Sequence, residues 1–482
     1  MPATILHHYD NDLIIINPTD KVEKYLSAWR RRIAQNEKGY GRSMKMEHVL
    51  LHNVIFEGPS NRTIQTMQGF YFKILKILTD QKKEIQYFDH RLAFPAPQLK
   101  LMRGFRAGQQ PLLEEFLLKE RSGCLKAPTR YGKTTLMVNT LRAFPRVRKV
   151  VWAAPGVDLL QQTVEDIRLQ LPEREITGIF TGSKTKRVSD DITVCSFDSL
   201  HKVDIDGTNL LLVDEPHASV SEERAPLIAR FKTTRVLGFG ATLSGRFDNM
   251  DKLITGLIGP TWVERTFKEG VAEGALSPIR VYRIGVPFKW QPFSRRDVMY
   301  RRLVHNNPDF VSVVNQLVSN VIPDDWQTLT FVETKKQAEF MRKNVQESEI
   351  AIADLMTPKE RKSMFKAMRE NQVKRCICTK IYSTGVTFSD LRCIVNACGG
   401  GGSISSTQKP GRLAEIRDNK KRGYLFDFKF ECSNPPPPGE NLTEDQARYR
   451  MIEGECNKRF EEYEKLGYEI LDVDDPNSIQ LD

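Results

Sequence analysis

The sequence predicts an α/β protein with two parallel-sheet lobes behind a smaller α+β N-terminal domain. Short apolar, β-branched runs alternate with helical patterns in two successive series, the signature of parallel sheets covered by helices. The first series opens on a phosphate-loop pattern set between a strand and a helix. At 482 residues the chain exceeds one ordinary core, and about three units are expected at roughly 150 residues each.

In the first series the candidate strands are Cys124–Ala127, Lys149–Ala154, Ile192–Ser196, Leu210–Asp214 and Arg235–Gly240, with helices at Lys133–Ala143 and Asp158–Leu169. The second series has strands at Thr328–Val332, Ile350–Asp354, Arg375–Thr379, Arg392–Ala397 and Tyr424–Phe428. Its helices include Lys335–Asn344 and Pro358–Arg369. Residues 1–95 read as a polar, partly helical mixture that ends at Pro95-Ala-Pro97. The prolines of Ser433-Asn-Pro-Pro-Pro-Pro-Gly439 cannot continue a helix or a central strand. These breaks divide the chain into an accessory domain (1–95), a first lobe (96–272), a second lobe (273–435) and a helical tail (436–482), the tail helix spanning roughly Thr443–Leu466.

Hydrophobic residues make up 40% and charged residues 28%, which places the chain among folded globular proteins. The longest apolar runs, such as Leu13–Ile16 and Leu210–Val213, have strand length and are too short to span a membrane. The N-terminus shows no basic region followed by an apolar one, so a cytoplasmic protein is expected. Net charge is +11, which favours a polyanionic partner over a membrane; no protein partner can be read from it. The eight cysteines contain no Cys-x-x-Cys pair. Cys376 and Cys378 sit in a strand pattern that puts both on one face, so buried reduced thiols are expected.

The strongest motif is Ala127-Pro-Thr-Arg-Tyr-Gly-Lys-Thr-Thr135. A Gly-Lys-Thr triplet alone is common in loops; the strand before it and the helix after it give the context a phosphate cradle needs. Lys133 would reach the β- and γ-phosphates of ATP, and the Thr134 hydroxyl would ligate Mg²⁺. Arg130, Gly132 and Thr135 complete the expected cradle. The second motif, Leu210-Leu-Leu-Val-Asp-Glu-Pro-His217, ends an apolar strand in two carboxylates. Asp214 would hold the metal and Glu215 would polarise the attacking water.

With these motifs in this order, the chain resembles helicase superfamily 2. Asp214-Glu-Pro-His217 is similar to the DEAH-type box, with Pro216 in place of alanine. Phe105-Arg-Ala-Gly-Gln109 resembles the adenine-reading element, which would make Gln109 a base contact. Trp152-Ala-Ala-Pro-Gly156 with Gln161 resembles motif Ia on the nucleic-acid side, and Gly240-Ala-Thr-Leu-Ser-Gly-Arg246 resembles motif III. Thr330-Phe-Val-Glu-Thr-Lys335 is similar to motif IV, and Tyr382-Ser-Thr-Gly-Val386, with Thr384 and Gly385, to motif V. Gln408-Lys-Pro-Gly-Arg412 resembles motif VI. The resemblance covers residues 100 to about 430 and implies two RecA-like lobes of the P-loop type that bind ATP·Mg²⁺ and move along nucleic acid. Within the superfamily the pattern is most similar to the UvsW-type phage recombination helicases and their Rad25-like relatives, which implies DNA repair or recombination intermediates as substrates.

One departure stands in motif VI. Glu415 occupies the place of a second arginine, and Arg417 follows two residues later. If the segment from Leu413 is helical, Arg417 lies about 140° around the axis from Arg412. Arg412 is then the expected arginine at the γ-phosphate, beside Gln408. In the accessory domain, Trp29-Arg-Arg-Arg-Ile33 reads either as a solvated helix face or as a segment whose Arg30, Arg31 and Arg32 meet DNA phosphates. Two other functions stay open: an RNA helicase, and a nucleotide-gated remodeller with little unwinding.

Overall fold

The computed structural model describes residues 2–35, 42–58, 61–119, 121–156, 158–179, 191–231, 235–246, 248–289, 296–344, 349–351, 356–379, 388, 390–399, 409–417, 419–433 and 444–482. They form two compact units: Met1–Pro128 with Gly132–Arg265, and Thr129–Tyr131 with Thr266–Asp482.

The N-terminal part contributes strands β1 (Thr4–His8), β2 (Asp12–Ile16), β3 (Ser27–Gln35), β4 (Arg42–Leu50), β5 (His52–Glu57), β6 (Arg62–Met67) and β7 (Ile85–Asp89). Five of them make a sheet in the order β5-β6-β2-β1-β7, while β3 and β4 form a separate antiparallel ribbon. Alternation buries Leu13 and Ile15 of β2 and leaves the other face half-buried, as a sheet with one core face allows. Helix Tyr71–Asp80 covers the buried face with Tyr71, Ile74 and Leu78. The segment Trp29–Ile33 is therefore strand, not helix, which corrects the helical option for it.

This sheet shares its core with the rest of the first unit. Met250 is buried in the same cluster, with Leu253 packed against it. Gly69 approaches so closely that a Cβ there would fall 1.8 Å from the Thr255 carbonyl oxygen.

The rest of the first unit is a seven-stranded parallel sheet: β8 (Gly123–Lys126), β9 (Val150–Ala154), β10 (Ile176–Ile179), β11 (Ile192–Ser196), β12 (Leu210–Asp214), β13 (Arg235–Gly240) and β14 (Thr261–Glu264). Their order is β10-β11-β9-β12-β13-β8-β14. The inner strands are buried on both faces, which is why they read as continuous apolar runs. All five strands expected here are present; β10 and the edge strand β14 are additions.

The second unit repeats the plan with β15 (Ile279–Phe288), β16 (Gln327–Phe331), β17 (Glu349–Ala351), β18 (Arg375–Cys378), β19 (Leu391–Asn396), β20 (Gly423–Cys432) and β21 (Glu469–Val473), in the order β17-β18-β16-β19-β20-β15-β21. Cys376 and Cys378 are buried on β18. The terminal segment is helical over Glu444–Leu466 and then adds β21 to the sheet edge beside β15. Arg280 and Arg283 of β15 meet Glu469 and Asp472 of β21 across that pairing. No helix among the described residues is long and apolar enough to cross a membrane.

Candidate functional site

Register brings the chemistry of the first unit to one edge. Strand β13 lies between β8 and β12, with Lys126 opposite Gly240 and Asp214 opposite Phe239. The loops leaving all three strands therefore emerge together at their C-terminal ends, where open parallel sheets place ligands.

The loop after β8 turns into helix Lys133–Ala143 at Gly132, whose φ is +93°. Glycine is required there twice over. The left-handed backbone disfavours a side chain, and a Cβ would lie 2.3 Å from Gln109 Nε2. Gln109 is fully buried, and its Oε1 accepts the Arg106 N–H at 2.7 Å. It thus braces the loop from below, with its amide turned to the loop rather than to solvent. Arg130 is also left-handed, at φ +71°. Gly132 has no side chain with which to cap the helix start, and the first N–H groups of such a helix suit an anion. Thr134 is exposed and Thr135 half-buried at that start.

The acidic box sits beside this helix. Glu215 takes a left-handed φ of +51°, held by its N–H donating to the Phe239 carbonyl. Its Oε1 lies 3.3 Å from Lys133 Nζ, and its Oε2 lies 3.4 Å from His217 Nδ1. Asp214 keeps some solvent contact at the strand end. Desolvation by surrounding protein, then the Glu215 charge, raise its carboxyl well above the usual carboxylate range, while Lys133 opposes the rise. Burial likewise lowers the His217 imidazole.

Glu215 Oε2 and Thr242 Oγ1 are buried and make no hydrogen bond among the described residues. Buried polar atoms rarely go unmatched, so this edge suits a nucleotide, a hydrated cation and a water. Among the described residues no group of three or more His, Cys, Asp or Glu could hold a metal by itself.

Arg246, which closes the segment after β13, donates to the His217 carbonyl and to the Asp248 carboxylate. Arg246 and Asp248, which no motif spacing singles out, link the acidic box to the next loop.

In the second unit Arg412 opens a single 3₁₀ turn, Arg412–Ala414, and Glu415 is already extended. The helix considered from Leu413 does not form. Glu415 instead pairs with Arg417 at 2.6 Å and lies 3.8 Å from Arg130 Nε. Arg412 is 3% exposed, and burial works against its charge. Lys420, an unremarkable member of a basic run in the sequence, is buried and donates to the Leu413 and Leu391 carbonyls, clamping the turn. Ser277 adds hydrogen bonds to the Ala414 and Glu415 carbonyls.

Gln408, Thr384 and Gly385 lie outside the described residues, as do the side chains of Gln161 and Arg32. Arg30 is on β3, committed to Glu47 at 2.6 Å and Glu222 at 3.5 Å. The Arg31 N–H donates to the Asp248 carbonyl.

Two parallel α/β lobes, the first with a phosphate loop beside paired carboxylates, define a RecA-like P-loop nucleotide hydrolase. The chain belongs to helicase superfamily 2 and is an ATP-hydrolysing helicase. Residues 102–245 match the family described as type III restriction enzyme, res subunit, and residues 312–417 match the helicase conserved C-terminal domain. The chain is similar to a putative helicase of Sulfolobus islandicus filamentous virus, at 23% identity over 85% of this chain and 77% of that protein. In structure it is similar to S. cerevisiae Dbp5 bound to RNA and ADP BeF3, with TM-score 0.52 and 15% identity over 83% of this chain and 93% of that one. It is also similar to the ATP-dependent type ISP restriction-modification enzyme LlaBIII bound to DNA. There the TM-score is 0.55 and the identity 13%, over 82% of this chain and 34% of that one.

Proposed function

We propose that the chain is a cytoplasmic, ATP-driven DNA translocase and helicase that works on branched recombination or repair intermediates. The observation that carries the catalytic part is the shared edge of β8, β13 and β12, where Lys133 and Glu215 face each other beside Asp214. In this reading Lys133 and the loop residues Arg130, Gly132, Thr134 and Thr135 bind the ATP phosphates, and Gln109 supports the loop and the base. Thr134 and Asp214 would hold Mg²⁺, which when bound neutralises phosphate charge. Phosphate binding draws Lys133 away from Glu215 and leaves that carboxylate to orient water. Arg412 and Gln408 of the second unit assist hydrolysis. DNA as the track is supported by the motif resemblance and by the basic accessory domain, where residues 1–100 carry 15 Lys/Arg against 10 Asp/Glu.

The test is steady-state ATP hydrolysis with single-stranded, duplex and forked DNA and with RNA. Forked DNA should stimulate most. Glu215→Gln should still bind ATP while losing at least about a hundredfold in turnover. Near-wild-type turnover in that variant refutes the site. Stimulation by RNA alone would favour the RNA-helicase reading, for which the likeness to an RNA-bound structure is the specific support. Stimulation without strand separation would favour the remodeller.

A further inference from the structure

We propose that one face of the β3–β4 ribbon is a stacking platform for single-stranded DNA, with Trp29 at its centre. The proposal rests on the DNA-motor reading and adds the form of strand that the accessory domain grips.

Among the described residues the ribbon has no third strand, and alternation gives it two unlike faces. Ala28 and Val49 pack on the accessory core. Arg30, on that same face, is held by Glu47 and by Glu222. The opposite face carries Trp29, Arg31, Met46, His48 and Leu50. Trp29 is 59% exposed, Met46 51% and Leu50 58%. Register sets Trp29 opposite His48 and Arg31 opposite Met46. The Trp29 and His48 rings stand 5.1 Å apart, tilted by 58°.

A contiguous face of large apolar side chains in water marks a binding surface. Its charge selects the partner. Arg31 stands on this face, and Glu47, the one acidic residue of the two strands, is on the other face with Arg30. The core of a protein-binding patch is depleted in charge, whereas rings interleaved with cations suit nucleic acid, bases lying on the rings and phosphates on the cations. A duplex keeps its base faces inside the stack, so only an unpaired strand can use Trp29.

The ribbon is also anchored. The Arg31 N–H donates to the Asp248 carbonyl at 3.0 Å, and Lys252 Nζ donates to the Ser27 carbonyl at 3.2 Å. Asp248 in turn holds Arg246, which touches His217 of the acidic box. A base on Trp29 is therefore held in register with the sheet that carries the phosphate loop.

The experiment measures binding of the full-length protein to labelled oligothymidylate, oligouridylate and blunt duplex DNA by fluorescence anisotropy. Trp29→Ala should weaken oligothymidylate binding about tenfold and duplex binding less than about twofold. Trp29→Phe, which keeps a stacking face, should recover most of the loss. No loss on oligothymidylate, or an equal loss on duplex, overturns the platform while leaving the motor reading intact. A wild-type protein that prefers oligouridylate overturns the assignment to DNA. A wild-type protein that binds none of the three overturns both the platform and the motor reading.

Discussion

Arg412 and Arg417 have different employment in this structure. Arg417 is spent on Glu415, at 2.6 Å, and the turn ends before a helix could carry it around. Arg412 is buried at a cost to its own charge, a cost that an anion would offset. Arginines that reach a γ-phosphate are worth about 10³–10⁵ in rate where measured. Arg412→Ala should therefore lower DNA-stimulated kcat at least about a thousandfold, and Arg417→Ala less than about threefold. Glu415 is shared between Arg417 and Arg130 of the phosphate loop, so Glu415→Gln should change kcat less than about threefold. Steady-state kinetics of the three variants decide this. If Arg417→Ala proves as damaging as Arg412→Ala, the assignment of Arg412 as the single working arginine fails.

Elements differ in how far their neighbours in sequence specify them. Strands buried on both faces, such as β9, β11 and β12, announce themselves because every position is apolar, and the phosphate loop is legible because its strand, glycine and helix are contiguous. Strand β21 is hidden. Its Glu469 and Asp472 look like a solvated charge pattern until Arg280 and Arg283, 189 residues away, are placed beside them. The ribbon is hidden for the same reason: Trp29 and Ile33 have helical spacing, and only the cross-strand partner Glu47 makes sense of Arg30. The clamp from Lys420 likewise depends on Leu391, a strand away.

The C-terminal helix is fixed by another long-range contact. Arg459 donates to Asp427 of β20, a fully buried carboxylate that also accepts from Asn396 and Tyr463. Removing one partner of a buried pair costs about 3–5 kcal/mol. Arg459→Met should therefore lower the unfolding midpoint of the second unit by roughly 6–20 °C. Adding Asp427→Leu should restore part of the loss, because the buried charge is then gone. A midpoint within about 2 °C of wild type for the single variant would show that Asp427 does not depend on Arg459.

At the scale of the molecule, the accessory sheet is built into the first unit. Met250 is buried in the accessory core, and Leu253 packs on it. Gly69 and Gly256 let the two backbones close to van der Waals range, with Phe70 lying against Gly256. Lys252 reaches the Tyr25 carbonyl and stacks over the Tyr25 ring at 3.9 Å. Excising residues 1–95 would therefore strip apolar surface from the sheet that holds the phosphate loop, at about 25 cal/mol per Å² exposed. Baring Met250 and Leu253 alone exposes two large side chains, each worth roughly 1.5–3 kcal/mol when fully buried. The truncated chain should then melt roughly 5–15 °C below the full one in scanning calorimetry, with the loss confined to the first unit's transition. A truncated chain that melts with the full-length protein would mean that the accessory sheet is an independent module resting on the lobe.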